Sequence, residues 1–336
     1  MTTAPPYWHT IRHRKLRTRI AEGLAAVDAM MFDSSKTEQP LLATSAQHLL
    51  AAGGKRFRAA LTLLAAQFGD AEAPAVIKAA AVVEFIHVAS LHHDDVMDQA
   101  HVRRGVPTVN ARWGNRIAVR SGDFLLARSA QLTAELGAEV IRAQRSALTR
   151  LVQGQALELQ GPRPGEDPLT HYLKVVSDKT GSLIALAGRT GAMVAGAHPD
   201  IVEAFDTFGE TLGRVFQLAD DLLDISGNPA SSGKTAGTDL RQGVDTLPVL
   251  LLRALPPDPH DPADSRLRVL LDGSLHNDHD HQEALELLCN HAAFQQAREY
   301  TTREAIKARQ VVMELPRCPA RTVLLDLCQT AATRIA

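Results

Sequence analysis

The sequence predicts an all-α protein, a single large helical bundle, and three observations carry that expectation. Apolar residues recur at helical spacing through most of the 336 residues. No series of alternating Val, Ile and Thr runs separated by tight turns is present, so sheet architectures lose support. Gly and Pro clusters punctuate the chain at helix-length intervals. A chain this long exceeds the usual single-domain size, but its apolar pattern runs without a dividing linker, so one domain spanning residues 1–336 is expected.

In chain order, residues 1–20 form a basic N-terminal segment with no apolar run behind it, which predicts neither a signal peptide nor a transmembrane segment. A solvated helix face is expected there, with weak contact to an anionic membrane surface as the alternative. Leu41 to Leu50, Ala59 to Phe68, Ala75 to Leu91 and Ile117 to Leu136 read as amphipathic or buried helices. Gly53-Gly54 and the stretches 69–74, 105–107, 161–168 and 196–199 read as the loops between helices. The stretch 227–248 is long for a structureless loop, which marks it as an active-site loop. The stretch 256–281 reads as an exposed polar loop, and its His260, His276, His279 and His281 are read as solvated rather than as metal ligands.

Lys plus Arg (36) nearly balance Asp plus Glu (38), so no global field favours nucleic acid, and any phosphate chemistry must be local. The three cysteines, Cys289, Cys318 and Cys328, have neither CxxC spacing nor even number; they fit packing roles in a reduced, cytoplasmic protein.

The chemistry concentrates in two acidic clusters, Asp94-Asp95-Val96-Met97-Asp98 and Asp220-Asp221-Leu222-Leu223-Asp224. In each, the first and last carboxylates lie four residues apart on a helical pattern and so project from one face. Carboxylates crowded in this way repel unless a cation sits between them, and a hard divalent ion with oxygen ligands is the natural candidate. For the first cluster alone, an exposed acidic turn satisfied by Arg103 and Arg104 is an equal reading. Repetition of the pattern favours Mg²⁺ shared with a diphosphate.

Cations lie near these acids. Gly53-Gly54-Lys55-Arg56-Phe57-Arg58 places three before a helix N-terminus, which suits a second diphosphate bound without metal; solvated side chains at a helix boundary are the alternative. Arg103-Arg104-Gly105 follows the first acidic cluster, Lys179-Thr180-Gly181 precedes a further helix, and Lys234 lies in the long loop. Together these groups suit ionisation of an allylic C–O bond, which needs a stabilised diphosphate leaving group and no side-chain nucleophile. No GxSxG, Walker or GxGxxG motif is present, which argues against acyl transfer, kinase and dinucleotide chemistry.

In this order the motifs resemble the trans-isoprenyl diphosphate synthases, the family of farnesyl, geranylgeranyl and longer polyprenyl diphosphate synthases, most nearly its long-chain bacterial members. The matching set runs from GGKRFR through Glu84-Phe85-Ile86-His87, HHDDVMD, RRG-P, Ser121-Gly122-Asp123-Phe124-Leu125, KTG, FQLADDLLD and GTDL to Thr246-Leu247-Pro248. The resemblance implies the isoprenoid synthase fold, a helical bundle around a central cavity. It implies head-to-tail condensation of isopentenyl diphosphate with an allylic prenyl diphosphate. By the same resemblance Lys55, Arg58, His87 and Arg104 hold isopentenyl diphosphate. Arg103, Lys179, Thr180, Gln217 and Lys234 surround the allylic diphosphate, with Lys179, Thr180, Gln217 and Lys234 assisting catalysis. Asp94, Asp98 and Asp220 are the principal metal ligands, with Asp95, Asp221 and Asp224 in support, for three Mg²⁺ ions per site. A homodimer is implied, with weak membrane-surface contact for product release. Val244 departs from the pattern, standing where the family commonly has a Lys; Arg241 or a partner residue is the expected compensation.

Helical periodicity places Val83, Ile86, Ala89 and Ser90 below Asp94 on approximately the same face, where a growing tail would run. Ala89 and Ser90 are small where short-chain members commonly carry a bulky aromatic, so a product of C30 or longer is expected. The alternatives are a short-chain synthase whose floor comes from another helix, a class I terpene cyclase, and an inactive partner subunit. GGKRFR and two intact acidic clusters weigh against the last two.

Overall fold

The computed structural model describes residues 11–227 and 236–333. The described residues are helical, as expected, apart from a hairpin of two-residue strands. The chain divides into two units: residues 1–151, 182–209 and 311–324 form the first, and residues 152–181, 210–310 and 325–336 the second.

The first unit begins with α1 (Arg14–Ser34), α2 (Pro40–Ala51) and α3 (Phe57–Ala65), the last extended by a 3₁₀ turn (Ala66–Phe68). Helix α1 buries Leu16, Ile20, Leu24, Val27 and Met31, while Arg14, Lys15, Arg17 and Arg19 stay exposed. Helix α4 (Pro74–Met97) starts on a proline at its first turn, where the missing N–H costs nothing. It is apolar on all sides, and it packs against α1, α3, α6 (Asn115–Ala134) and α9 (Ser182–Val194). Glycines set the closest approaches. A Cβ on Gly191 of α9 would stand 2.2 Å from the Thr62 carbonyl oxygen of α3, so these two backbones meet only because that residue has no side chain.

Helix α4 is long and apolar enough to cross a membrane by composition, but 61% of its most apolar window is buried within the protein. After it, β1 (Val102–Arg103) and β2 (Val106–Pro107) pair antiparallel around Arg104-Gly105, and α5 (Val109–Trp113) follows. Arg104 and Gly105 have φ of 54° and 77°, the left-handed pair that a two-residue type I′ hairpin requires.

Helix α7 (Ala138–Gln160) begins in the first unit and ends in the second, as do α10 (Pro199–Ser226) and, in the opposite sense, α15 (Ala292–Glu314). α16 (Pro319–Thr333) again begins in the first. The second unit also holds α8 (Pro168–Val176), a π turn (Ser177–Gly181), α11 (Thr238–Arg241), α12 (Leu247–Ala254), α13 (Pro262–Asp272) and α14 (Asp278–Asn290). Its core joins Leu218 and Leu222 of α10 to Leu247, Val249 and Leu252 of α12, Leu267 of α13, Leu285 and Leu288 of α14 and Phe294 of α15.

The stretch 256–281 corrects the expectation of an exposed loop, because it contains α13 and the start of α14. Asp261 caps α13 by accepting the Ala263 N–H at 2.8 Å, Pro262 opens it, and Leu267 and Leu270 bury its inner face. Its apolar residues, Ala263, Leu267, Val269, Leu270 and Leu271, do not mark a single face, since only Leu267 and Leu270 are buried and Val269 is exposed, so the period is hidden. Of its histidines, His281 is buried, not solvated. Of the stretch 227–248, residues 228–235 lie outside the described residues, and the remainder holds α11 and the start of α12 joined by turns.

Candidate active site

The first acidic cluster forms the end of α4, where the helix's unsatisfied carbonyls add negative potential and favour a cation. Asp94 and Asp95 lie in the last turn and Asp98 is the C-cap, its N–H bonded to the Asp94 carbonyl oxygen at 2.8 Å. Asp98 is exposed and Asp94 partly so. Asp95 is buried; its Oδ1 accepts from Arg103 Nε at 2.5 Å, whereas Oδ2 has no partner among the described residues. Burial raises the Asp95 carboxyl above the ordinary value, with Arg103 opposing. Arg103, assigned by resemblance to a substrate, is here the counter-ion of Asp95.

Two turns earlier on α4, about 10 Å along the axis, lies a cationic group of different character. His87 is pushed well below its usual value by burial and by the positive field of Arg58, Arg104, Arg103 and Arg56, so it is neutral near pH 7. Burial also works against the charge on Arg58, offset by Glu84. Arg104 keeps its left-handed backbone because its guanidinium is tied down: Nη1 donates to the Leu49 carbonyl at 2.8 Å and to the Gly53 carbonyl. A Cβ on Gly54 would meet that guanidinium at 2.9 Å, which is why the Gly-Gly pair precedes the cations. Lys55 is exposed at the same turn.

Arg56, which the sequence counts only as one of three cations suited to a diphosphate, and Glu84, which it gives no role, hold this turn in place. Arg56 has φ of 47° and is buried; its Nε donates to Asp28 Oδ1 at 2.7 Å and its Nη2 to the Leu50 carbonyl at 3.1 Å. Glu84 Oε1 accepts the Ala59 N–H at 3.0 Å, and its Oε2 lies 3.8 Å from Arg56 Nη1. A buried carboxylate thus caps the first turn of α3 and neutralises an arginine in one step. The triplet of cations was legible, but nothing in its spacing told which one faces inward.

In the second unit, Asp220, Asp221 and Asp224 lie in the last turns of α10. Asp220 is exposed and Asp224 partly buried. Asp221 is buried, and both of its oxygens are engaged: Oδ1 accepts from Gln217 Nε2 at 3.0 Å, and Oδ2 accepts the Tyr172 hydroxyl. Desolvation lifts its carboxyl to about 7. Thr180 Oγ1 donates to Gln217 Oε1 at 3.1 Å, so Thr180, Gln217, Asp221 and Tyr172 form one connected chain. Gly181 and Gly213 make this possible, since a Cβ on Gly213 would stand 2.5 Å from the Gly181 Cα. Lys179 pairs with Glu158. Tyr172 was missed because a partner arriving from another helix leaves no local spacing signal. Lys234 lies outside the described residues.

Val244 is exposed, and Arg241, the nearby cation expected to compensate for it, is engaged elsewhere, 2.8 Å from Asp278. Val83, Ile86 and Ala89 are completely buried, and Ser90 partly. At about 100° per residue, Val83 and Ser90 fall within about 40° of Asp94, Ile86 about 80° away and Ala89 about 140°. The four therefore do not share one face as the spacing suggested: Val83 and Ser90, with His87 between them, lie in line with Asp94, and Ala89 is on the flank.

The donor set at both acidic clusters is all oxygen and includes a buried, unpartnered carboxylate oxygen, which fits a hard divalent cation. Comparison with known proteins agrees with this chemistry. Residues 39–288 match the sequence pattern of the polyprenyl synthetase family. The nonaprenyl diphosphate synthase of Mycobacterium tuberculosis is 43% identical over 317 residues, 94% of this chain and 93% of that protein. Among solved structures, a decaprenyl diphosphate synthase from Rhodobacter capsulatus superposes with a TM-score of 0.86 at 36% identity, covering 96% of this chain and 99% of that one. A geranylgeranyl pyrophosphate synthase from Corynebacterium glutamicum, complexed with calcium and isoprenyl diphosphate, gives 0.87 at 37% identity, covering 97% and 99%. Two acidic helix ends and an arginine-lined turn, within a chain matched over nearly its whole length, make this protein a member of the polyprenyl synthetase family of prenyltransferases.

Proposed function

We propose that the chain condenses isopentenyl diphosphate with an allylic prenyl diphosphate to give a polyprenyl diphosphate of C30 or longer. The observation that carries this reading is that α4 bears two anion-handling groups of different kinds. Its end is a carboxylate set suited to a metal-bound diphosphate; two turns earlier, neutral His87 stands among Arg58 and Arg104, which suits a diphosphate bound without metal. A terpene cyclase has one diphosphate substrate and no use for the second group.

Members of this family are generally Mg²⁺-dependent. In this reading Asp94, Asp98 and Asp220 hold Mg²⁺, three ions in all, with Asp95, Asp221 and Asp224 orienting the set. Bound Mg²⁺ supplies charge stabilisation for the departing diphosphate. The chain's own groups do the rest. Lys55, Arg58, His87 and Arg104 anchor isopentenyl diphosphate; Lys179, Thr180, Gln217 and Lys234 line the allylic site, and Arg103 acts there through Asp95. The C–O bond of the allylic substrate breaks with its electron pair leaving on diphosphate. The isopentenyl double bond attacks the resulting cation, and a proton is lost to the released diphosphate. Ser90, small and nearly in line below Asp94, puts no bulky side chain in the path of a long tail, and the similarity to nonaprenyl and decaprenyl synthases supports that length. We further propose a single functional domain acting as a cytoplasmic homodimer with weak membrane-surface contact at product release.

The test is incubation of the purified chain with Mg²⁺, isopentenyl diphosphate and farnesyl diphosphate. Prenyl diphosphate product is expected, with one diphosphate released per isopentenyl unit incorporated and none released when EDTA is present. Hydrocarbon formed without isopentenyl diphosphate would make the chain a cyclase, and no turnover by the chain alone would make it a partner subunit.

A further inference from the structure

His281 sits in the first turn of α14, only 4% exposed, and hydrogen-bonds through both ring nitrogens. Nε2 lies 2.8 Å from the Gly237 carbonyl oxygen, and Nδ1 lies 3.1 Å from Arg241 Nη2. A carbonyl only accepts and a guanidinium only donates, so one neutral ring with its proton on Nε2 satisfies both contacts. The same Arg241 Nη2 also lies 2.8 Å from Asp278 Oδ1. Gly237 has φ of 70°, and a Cβ there would stand 2.5 Å from His281 Nε2 and 2.8 Å from Leu285 Cδ2, so the segment lies against α14 as only glycine allows.

The same segment also reaches the second acidic cluster. The Gly237 N–H donates to the Asp224 carbonyl oxygen at 2.7 Å, and the Asp239 N–H donates to Asp224 Oδ2 at 3.1 Å. One carboxylate oxygen of Asp224 is therefore fixed by a backbone amide, leaving Oδ1 to face other partners. That amide is located by the two contacts on either side of it, Gly237 and Arg241, both of which end on His281.

We propose that His281 is a positioning residue for the prenyl transfer: by clasping Gly237 and Arg241 it fixes the Asp239 amide and so orients the Asp224 carboxylate. The proposal rests on the reading of Asp224 as part of the metal and allylic diphosphate site. The influence of His281 passes through the backbone of residues 237–241.

The test compares wild type, His281→Ala and His281→Gln, the last keeping an amide donor where the ring Nε2 stood. In metal-free protein, hydrogen exchange over residues 237–243 is expected to speed up about tenfold in the alanine variant. The MgCl₂ concentration for half-maximal activity and the KM for farnesyl diphosphate are expected to rise about tenfold, the lower end of what a support of a metal ligand contributes, with the KM for isopentenyl diphosphate unchanged. Glutamine is expected to restore most of each. Unchanged exchange over 237–243 in His281→Ala overturns the proposal. So does an equal rise in both KM values with glutamine no better than alanine, which marks a merely structural residue. Asp224→Asn separates the two readings: if it leaves the MgCl₂ requirement unchanged, the metal reading of Asp224 fails and the catalytic role of His281 with it, whereas the exchange result still reports whether the clasp exists.

Discussion

Asp221 carries an electrostatic conflict that a single substitution exposes. Its carboxyl is desolvated and lifted from 3.8 to about 7, while Gln217 and Tyr172 saturate its oxygens. A carboxyl whose folded pKa lies above its unfolded one binds its proton more tightly when folded. Its contribution to stability is full below about pH 4 and is lost as pH rises through about 7. Asp221→Asn stays neutral at every pH. In the metal-free protein its melting temperature is expected to match wild type near pH 4 and to exceed it by a margin that grows up to about pH 7; a difference that does not vary with pH contradicts this. The three aspartates of each cluster look alike in the sequence, and burial is what separates Asp95 and Asp221 from the exposed Asp98 and Asp220. Burial depends on which helix arrives opposite, so the clusters were legible and the division of labour within them was not. The same reason hid His281: its partners, Gly237 and Arg241, lie about forty residues upstream.

At the scale of elements, α4 organises the first unit because its sequence is apolar on every side until the acidic cluster, and a helix of that kind must be surrounded. Its limits were readable from Pro74 at the start and the charge run at the end. Helices α2, α3 and α6 likewise follow the periodic stretches, and the Gly/Pro stretches 53–54, 69–74, 161–168 and 196–199 lie between helices, the last three each ending on the proline that opens the next helix. The weakly periodic α13 and α14 escaped notice, since a helix that buries one narrow edge needs few apolar residues. Packing of α3 on α9 depends on Gly191. Gly191→Ala would force its Cβ against the Thr62 carbonyl, now 2.2 Å from that position, and a backbone atom cannot rotate aside. A loss of about 2 kcal/mol or more is expected from such overpacking, read as a lowered urea midpoint with unchanged slope. A variant as stable as wild type would mean that the two helices are not in this contact.

At the scale of the whole molecule, the legible part was the ordered series of charged motifs, because diphosphate chemistry needs residue types that cannot be exchanged for others. Tail length is different. It depends on the volume left by apolar side chains, and many sequences leave the same volume. Val83 and Ser90 stand in line with Asp94 on α4, and Ser90 is small and partly exposed, its hydroxyl bonded back to the His87 carbonyl at 2.9 Å. The most direct measurement is the size distribution of dephosphorylated products made from farnesyl diphosphate, isopentenyl diphosphate and Mg²⁺ by wild type and Ser90→Phe. Chains of C30 or longer are expected from wild type, shortened to C20–C25 by the phenylalanine, with each primer still extended by at least one isopentenyl unit. Wild-type products that stop at C20, or an unchanged distribution from Ser90→Phe, would contradict that expectation.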